Sequence, residues 1–159
     1  MIRLIAAQEE LEEFIALVRE YTDAILQQDS AVARTLASQH LEDELKDLEK
    51  KYGFPDGRMY ILLSDGRAAG CVALSRHDDR YCEIKRLYIR PEYRGQNLSR
   101  ILCDKVIEDA KAIGYQYMRL DTFPFMKSAI CVYEKYGFNY IEKYNDNPAE
   151  NAVFMELKL

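Results

Sequence analysis

A run of residues from Leu87 to Arg100 combines a strand end, a proline stop, a short loop and the first turn of a helix. The N-terminus of a helix presents unpaired backbone N–H groups and the positive end of the helix dipole. The run therefore suits a phosphate or pyrophosphate group, although a solvated turn with incidental arginines would show the same spacing. Between residues 85 and 100 the net charge is +4, from one anion, Glu92, and five cations: Lys85, Arg86, Arg90, Arg94 and Arg100.

This loop matches neither of the two common glycine-rich nucleotide motifs. No Gly-Lys-Ser or Gly-Lys-Thr follows it, which excludes a Walker A loop. Only Gly95 is present where a dinucleotide fingerprint needs three spaced glycines. A phosphate site here would depend on the helix terminus and the arginines.

The cysteine and histidine pattern predicts neither a metal site nor a cysteine nucleophile. A nucleophilic cysteine would need a basic partner, and the only histidines, His40 and His77, lie in a helical and a turn-like segment. The apolar neighbours of the cysteines predict four buried, reduced thiols. Without a CxxC pair, the four are spaced 11, 21 and 28 residues apart: Cys71, Cys82, Cys103 and Cys131.

Hydrophobic periodicity predicts the element order β-α-α-β-β-β-α-β-α-β-β. This order indicates a mixed α/β fold of one domain, residues 1–159, with a mostly antiparallel sheet of six to seven strands flanked by helices. The predicted strands are Ile2–Ala6, Met59–Leu63, Ala68–Leu74, Tyr81–Ile89, Tyr117–Thr122, Phe138–Ile141 and Ala152–Leu157. The predicted helices are Gln8–Gln28, one from the cap Ser38 to the stop at Gly53, Asn97–Ile113 and Met126–Tyr136, with Asp29–Ala37 left as a break or a continuation.

Composition narrows the function classes. The chain has 159 residues and a net charge of −5, without the uniformly basic character of nucleic-acid-binding domains. Its longest stretch without a polar residue, Ala68–Leu74, is far shorter than the roughly 20 residues that span a bilayer. The N-terminus turns acidic at Glu9 before a signal peptide could form, so we expect a cytoplasmic protein without membrane or nucleic-acid partners.

The loop and its flanks resemble the GNAT superfamily of N-acetyltransferases, which bind acetyl-CoA and acetylate amines. The family's pyrophosphate loop has the pattern Arg/Gln-x-x-Gly-x-Gly/Ala, with which Arg94–Ser99 aligns. Leu87–Pro91 is similar to the strand before that loop, and Tyr133–Phe138 is similar to a second signature, a helix end followed by Gly-Phe. A bacterial subgroup resembles the chain more closely, because it shares three further segments: Glu83–Tyr88 (Glu-x-Lys-Arg-Leu-Tyr), Leu120–Thr122 and Tyr144–Pro148 (Tyr-x-Asp-Asn-Pro).

The resemblance implies the acyl-CoA N-acyltransferase fold, acetyl-CoA as cosubstrate and no metal. Asn97 and Ser99 stand where the family usually has small residues, so we expect weakened acetyl-CoA binding. The same departures leave a non-catalytic acyl-CoA-binding or regulatory module as the alternative function. The implied cofactor-binding residues are Leu87, Tyr88, Ile89, Arg94, Gly95, Gln96, Asn97, Leu98, Ser99 and Arg100.

The resemblance also assigns catalytic roles for direct attack of an amine within a ternary complex. Tyr133 matches the tyrosine that protonates the departing thiolate, and the strand backbone from Leu87 to Ile89 matches the part that stabilises the oxyanion through a bulge. Glu83, which a regular strand would place on one face with Lys85 and Leu87, is a candidate base. An ion pair of Glu83 with Lys85 or Arg86 is an equally good interpretation, and Asp121 with a water chain is another candidate base.

The acceptor implied by the resemblance is a primary amine of a small molecule or a peptide, bound by a monomer or a homodimer. Residues 1–56 carry 13 acids and 6 bases, a net of −7, which could attract a cationic amine. The same charges are also typical of the solvated face of amphipathic helices. The polar segment Tyr144–Pro148 could add contacts to an acceptor.

Overall fold

A computed structural model describes residues 1–29 and 31–159 of the chain. Seven strands form a sheet and are numbered along the chain as β1 (Ile2–Ala6), β2 (Arg58–Ser64), β3 (Arg67–Arg76), β4 (Tyr81–Ile89), β5 (Tyr117–Thr122), β6 (Asn139–Ile141) and β7 (Val153–Lys158). Their order across the sheet is β1-β2-β3-β4-β5-β7-β6. Neighbouring strands are antiparallel except β4 and β5, which confirms the predicted mixed, mostly antiparallel sheet.

Helices cover both faces of this sheet. They are α1 (Leu11–Gln28), α2 (Val32–Ser38), α3 (Leu41–Lys46), α4 (Leu48–Tyr52), α5 (Leu98–Ile113) and α6 (Lys127–Tyr136), with short 3-10 turns at Ala7–Glu10 and Pro91–Tyr93. On one face, apolar residues spaced four apart in α5, such as Leu102 and Val106, pack on Met118. On the other face, Phe14 of α1 and Tyr52 of α4 belong to a second core. None of the helices in the described residues is both long and apolar enough to cross a membrane.

The predicted second helix is wrong in its continuity. His40 adopts a left-handed conformation with φ 52°, and Asp47 has φ −146°, so the stretch from Ser38 to Gly53 divides into α3 and α4, and α2 precedes it. Ser38 is not a cap for the following helix, because it ends α2 and its hydroxyl donates to the Thr35 carbonyl, 2.8 Å away.

The prediction of four buried thiols is wrong for Cys131. The other three cysteines are buried, whereas Cys131 is exposed on α6. Its helix packs on the core through Ala129, Val132 and Tyr133, and residue 131 points to the opposite side. Apolar neighbours in the sequence therefore did not mean a buried position in the helix.

A bulge interrupts β4 where the resemblance implied one. Cys71 pairs with Tyr88 and Ala73 pairs with Lys85, so Arg86 and Leu87 together lie opposite one residue of β3. Arg86 has a left-handed backbone with φ 58°. Its carbonyl accepts a hydrogen bond from the Cys71 thiol at 3.3 Å.

The bulge reverses the alternation of side chains along β4. Cys82 and Ile84 lie in the core under α5, and after the bulge Leu87 packs against that same core. Tyr88 instead lies in the core under α1. The expectation that Glu83 shares a face with Leu87 is therefore wrong, because it holds only for a regular strand.

Strands β4 and β5 separate soon after they begin. Their parallel ladder contains three pairs, the last of which joins Glu83 and Arg119. Beyond that pair, the edge of β4 that faces β5 has no strand partner in the described sheet. The bulge at Arg86 and Leu87 lies in this part of β4. The separation opens a cleft between the two strands.

Candidate active site

The loop before α5 presents a row of unpaired backbone amides. The N–H groups from Gly95 to Ser99 donate to no protein acceptor in residues 1–29 or 31–159, and the first amide of the turn that does is Arg100, which bonds to Asn97. Gly95 has φ 81°, a conformation that favours glycine. Five successive free donors at the positive end of a 16-residue helix form a strong anion-binding surface.

Asn97 completes this loop in a left-handed conformation, with φ 57° and ψ 27°. Asparagine is one of the few residues that tolerates this region, which explains how it replaces the family's glycine. Its side chain does not form the N-cap hydrogen bond that asparagine can make. The substitution therefore keeps the path of the loop and adds a side chain beside the free amides.

We expect Asn97→Gly to bind acetyl-CoA more tightly, by up to about tenfold, because glycine adopts the same φ without strain and removes the added side chain. Asn97→Ala should bind more weakly than wild type, since alanine is strained at positive φ. Calorimetric titration of acetyl-CoA into the three proteins measures both effects. A glycine variant with a higher Kd than wild type would contradict the expectation.

Not all five cations of the stretch from Lys85 to Arg100 are available to an anion. Arg86 is paired with Glu44 of α3, and Arg90 is held by Glu13 and Glu20 of α1 at 3.1 and 2.8 Å. Arg94 and Arg100 remain exposed beside the loop. The groups beside the loop that an anion can reach are therefore the free amides and these two arginines.

A cleft of about 470 Å³ runs from this loop along the open side of β4. One wall is the predicted backbone from Leu87 to Ile89, and another is formed by Phe125 to Ala129 and Val132 at the start of α6. Tyr21 and Ile25 of α1 close one end. The second wall and the closing residues were not predicted, and the sequence offers only their apolar spacing as a signal.

Most of the predicted cofactor-binding residues line this cleft. Two of them do not line it, Gln96 and Arg100, which lie at the exposed side of the loop. The two predicted catalytic residues, Tyr133 and Glu83, do not line it either. The lining residues that were predicted are Leu87, Tyr88, Ile89, Arg94, Gly95, Asn97, Leu98 and Ser99.

Tyr133 lies behind the α6 wall, with its ring 5.5 Å from that of Phe138. Only 6% of the residue is exposed. Burial raises its pKa well above the usual 10, and the nearby Cys103, Tyr21 and Asp121 act in the same direction. The phenol therefore keeps its proton at neutral pH.

Glu83 lies at the last β4–β5 pair, where the two strands separate. Its carboxylate accepts a hydrogen bond from the Tyr144 hydroxyl at 2.9 Å and lies 3.8 Å from Nδ1 of His77. The ion pairs with Lys85 or Arg86 that the sequence left open do not form in the described residues. Glu83 is thus held by neutral or titratable groups at the opening of the cleft.

The polar segment Tyr144–Pro148 lies over the same face of the sheet. Asp121 accepts hydrogen bonds from the side-chain amides of Asn145 and Asn147, both at 3.1 Å. The side-chain oxygen Oδ1 of Asn147 in turn accepts a hydrogen bond from the Thr35 hydroxyl of α2 at 3.0 Å. The segment therefore connects β5 to α2 across the sheet face that contains Glu83.

A buried ion-pair cluster stabilises the bulge from the side of α3. Glu44 accepts two hydrogen bonds from the Arg86 guanidinium, at 3.0 and 3.1 Å, and one from Lys51 at 3.0 Å. Burial opposes ionisation of Glu44, but Arg86 and Lys51 lower its pKa to about 2. This cluster was not predicted, because Glu44 and Arg86 are 42 residues apart in the sequence.

Comparison with known proteins agrees with this geometry. A profile of the acetyltransferase (GNAT) family matches residues 17–138. An uncharacterised N-acetyltransferase of Schizosaccharomyces pombe is 36% identical over 160 aligned residues, which cover 99% of this chain and 94% of that protein. The structure of an acetyltransferase from Streptococcus agalactiae is similar with a TM-score of 0.80 at 22% identity, over 99% of this chain and 98% of that chain.

A further similar structure is the PaiA N-acetyltransferase of Thermoplasma acidophilum in complex with coenzyme A. It has a TM-score of 0.72 and 20% identity, over 100% of this chain and 99% of that chain. The split sheet and the cleft are those of an acyltransferase with the acyl-CoA N-acyltransferase fold. The chain belongs to the GNAT family of acetyltransferases.

Proposed function

We propose that the protein transfers the acetyl group of acetyl-CoA to a primary amine of a small molecule or a peptide. The row of free amides from Gly95 to Ser99, at the end of a cleft bordered by the bulged strand, carries this proposal. Those amides, with Arg94 and Arg100, suit the pyrophosphate of coenzyme A. The cosubstrate supplies an activated acyl group as a thioester.

The bulge supports a role for the β4 backbone in stabilising the oxyanion. At a bulge two residues face one, so the backbone N–H groups there cannot all pair with the neighbouring strand. The stretch from Leu87 to Ile89 lines the cleft at this point. Its amides are therefore the candidate donors to negative charge that develops during transfer.

Two side chains are proposed to move protons. Glu83, held at the opening of the cleft, takes the proton from the attacking amine directly or through water. Tyr133, which remains protonated, gives its proton to the departing thiolate as the carbon–sulfur bond breaks. The new amide bond forms between the acceptor nitrogen and the acetyl carbon.

Tyr133→Phe is expected to lower kcat by about 100-fold or more, because it removes a proton donor without changing the shape of the core. The Kd for acetyl-CoA should change less than twofold, since the substitution keeps the aromatic ring and its packing against Phe138. Stopped-flow turnover and calorimetric titration measure the two quantities.

Tyr136→Phe is the matched control, because Tyr136 lies one turn later on α6 and its hydroxyl donates to the Asp104 carboxylate, away from Tyr133. We expect this variant to retain turnover close to that of wild type. A Tyr133→Phe enzyme as active as the Tyr136→Phe enzyme would remove Tyr133 from the mechanism.

The proposed reaction is tested by thiol release from acetyl-CoA with a panel of amino acids, polyamines, aminoglycosides and short peptides. Thiol release above background with at least one amine supports acetyl transfer. Background rates with every amine, together with measurable binding of acetyl-CoA, would contradict it and favour the non-catalytic alternative. The preserved backbone of the loop at Asn97 supports the catalytic function.

We also propose that residues 1–159 form one domain, since β1 and β7 belong to the same sheet. Its expected place is the cytoplasm, as a monomer or a homodimer. The closer relation to a bacterial subgroup is proposed from the segments Glu83–Tyr88, Leu120–Thr122 and Tyr144–Pro148. Light scattering of the purified protein measures the oligomeric state.

A further inference from the structure

Lys85 lies on β4 between Glu83 and the bulge. Alternation along the strand places the two residues on the same face, about 6.6 Å apart along the chain. The Lys85 side chain is only partly exposed, yet it forms no ion pair with a carboxylate from residues 1–29 or 31–159. A half-buried ammonium without a counter-ion is uncommon in proteins.

The carboxylates on this face have other partners. Glu44 is bound by two cations of α4 and β4. Asp121 accepts hydrogen bonds from two asparagine side chains, and Glu83 accepts one from a tyrosine hydroxyl. The carboxylates of Glu44, Glu83 and Asp121 are therefore bonded to side chains other than Lys85.

One buried hydroxyl on this face also lacks a hydrogen-bond partner among the described residues. It is Ser75 Oγ, and Ser75 lies directly across from Glu83 in the β3–β4 ladder. A buried hydroxyl without a hydrogen bond costs free energy, so Ser75 is suited to donate to a polar group beside Glu83.

We propose that the acceptor is an amine that also carries a carboxylate, as an amino acid does, and that Lys85 binds this carboxylate. This inference rests on the proposed acetyl transfer and specifies its substrate class. The acceptor's amine faces Glu83, the candidate base, while its carboxylate accepts from the Lys85 ammonium. The hydroxyl of Ser75 is a further donor on the same face.

The electrostatics of Lys85 agree with a site for an anion. Burial lowers the pKa of its ammonium to about 8, and the Lys51 ammonium acts in the same direction. Glu83 and Asp121 oppose this shift, whereas Arg86 adds to it. A bound carboxylate would favour the charged form, so the acceptor and Lys85 stabilise each other.

The test compares matched acceptors that differ only in the carboxylate. The probes are leucine and phenylalanine, each with its α-amide and its decarboxylated amine, assayed by thiol release from acetyl-CoA. For wild type we expect kcat/KM to be at least about tenfold higher for one of the acids than for its amide and amine.

In Lys85→Met we expect kcat/KM for that acid to fall by about 10- to 100-fold, while the rate with the decarboxylated amine and the Kd for acetyl-CoA stay unchanged. Lys85→Glu should reverse the preference toward the amine. Lys50→Met is the matched control, because Lys50 is exposed on the neighbouring helix α4 and should behave as wild type.

Equal use of acid and amine by wild type would overturn the inference and leave acetyl transfer in place. An equal loss for both acceptors in Lys85→Met, in a variant whose melting temperature matches that of wild type, would overturn it as well. Thiol release that stays at background with every amine would overturn the proposed function, and the inference with it.

Discussion

Glu44→Gln is expected to lower the free energy of unfolding by about 3–5 kcal/mol. The substitution leaves the Arg86 guanidinium buried without its anionic partner, since only 4% of the Arg86 side chain and 2% of the Glu44 side chain are exposed. The remaining partner of Arg86 is the side-chain oxygen of Gln39 at 3.0 Å. Because Arg86 is the bulge residue, the same variant should also raise the KM for acetyl-CoA.

The pH dependence follows from the lowered pKa of Glu44. Arg86 and Lys51, against the effect of burial, lower that pKa from 4.5 to about 2. A carboxyl whose pKa is lowered by folding stabilises the protein above its unfolded-state pKa, and this stabilisation is lost as the pH falls through the folded-state pKa. The difference between wild type and Glu44→Gln should therefore be full at neutral pH and decrease from pH 4.5 toward pH 2.

Urea unfolding of both proteins at neutral pH and near pH 3 measures this difference. Glu42→Gln is the matched control, because Glu42 lies on the same helix and pairs with Arg19 at 3.0 Å on the surface. An exposed pair contributes little, so this control should unfold like wild type. Equal urea midpoints for the Glu44 and Glu42 variants would show that the buried cluster does not stabilise the fold.

Glu83→Gln is expected to lower kcat by about 100- to 10,000-fold, because an amide cannot accept the proton of the attacking amine. The hydrogen bond from the Tyr144 hydroxyl can still form with the glutamine oxygen, so the position of the side chain is preserved. The Kd for acetyl-CoA should stay unchanged, since Glu83 does not line the cleft that runs from the loop along β4. Steady-state kinetics across a pH range, with calorimetric titration of acetyl-CoA, measure both.

Asp121→Asn separates Glu83 from the other candidate base. Oδ2 of Asp121 already accepts two hydrogen bonds from asparagine amides, so its loss should reduce turnover less than the loss of Glu83. The pH–rate profile decides between them. A Glu83→Gln enzyme that keeps the acidic limb of the wild-type profile would exclude Glu83 and leave Asp121 with a water chain.

The elements of the fold are well encoded by local patterns. Strands β1, β4 and β5 have the predicted bounds, because each intersperses polar residues among apolar ones and ends near a turn or a proline. The Asp65-Gly66 signal also holds, since both residues have positive φ, as a tight hairpin turn requires. The loop before α5 was predicted from residue types that have special roles at helix ends.

Long-range contacts limit what the sequence can predict about the site. The pairing of Arg86 with Glu44 depends on the packing of α3 against the sheet, which has no local signal. The bulge also has no local signal, because arginine rarely adopts the left-handed backbone conformation that Arg86 has. One such residue changes which side chains share a face, and so alternation alone misplaces Glu83 relative to Leu87.

Arg90 connects the cofactor loop mechanically to α1, the helix that closes one end of the cleft. Its guanidinium bonds to Glu13, to Glu20 and to the Ala68 carbonyl, the last at 2.8 Å. A ligand that shifted α1 would therefore also displace Arg90 and the loop that follows it. Thermodynamic reciprocity would then require a ligand at α1 and a ligand at the loop to change each other's affinity by the same factor.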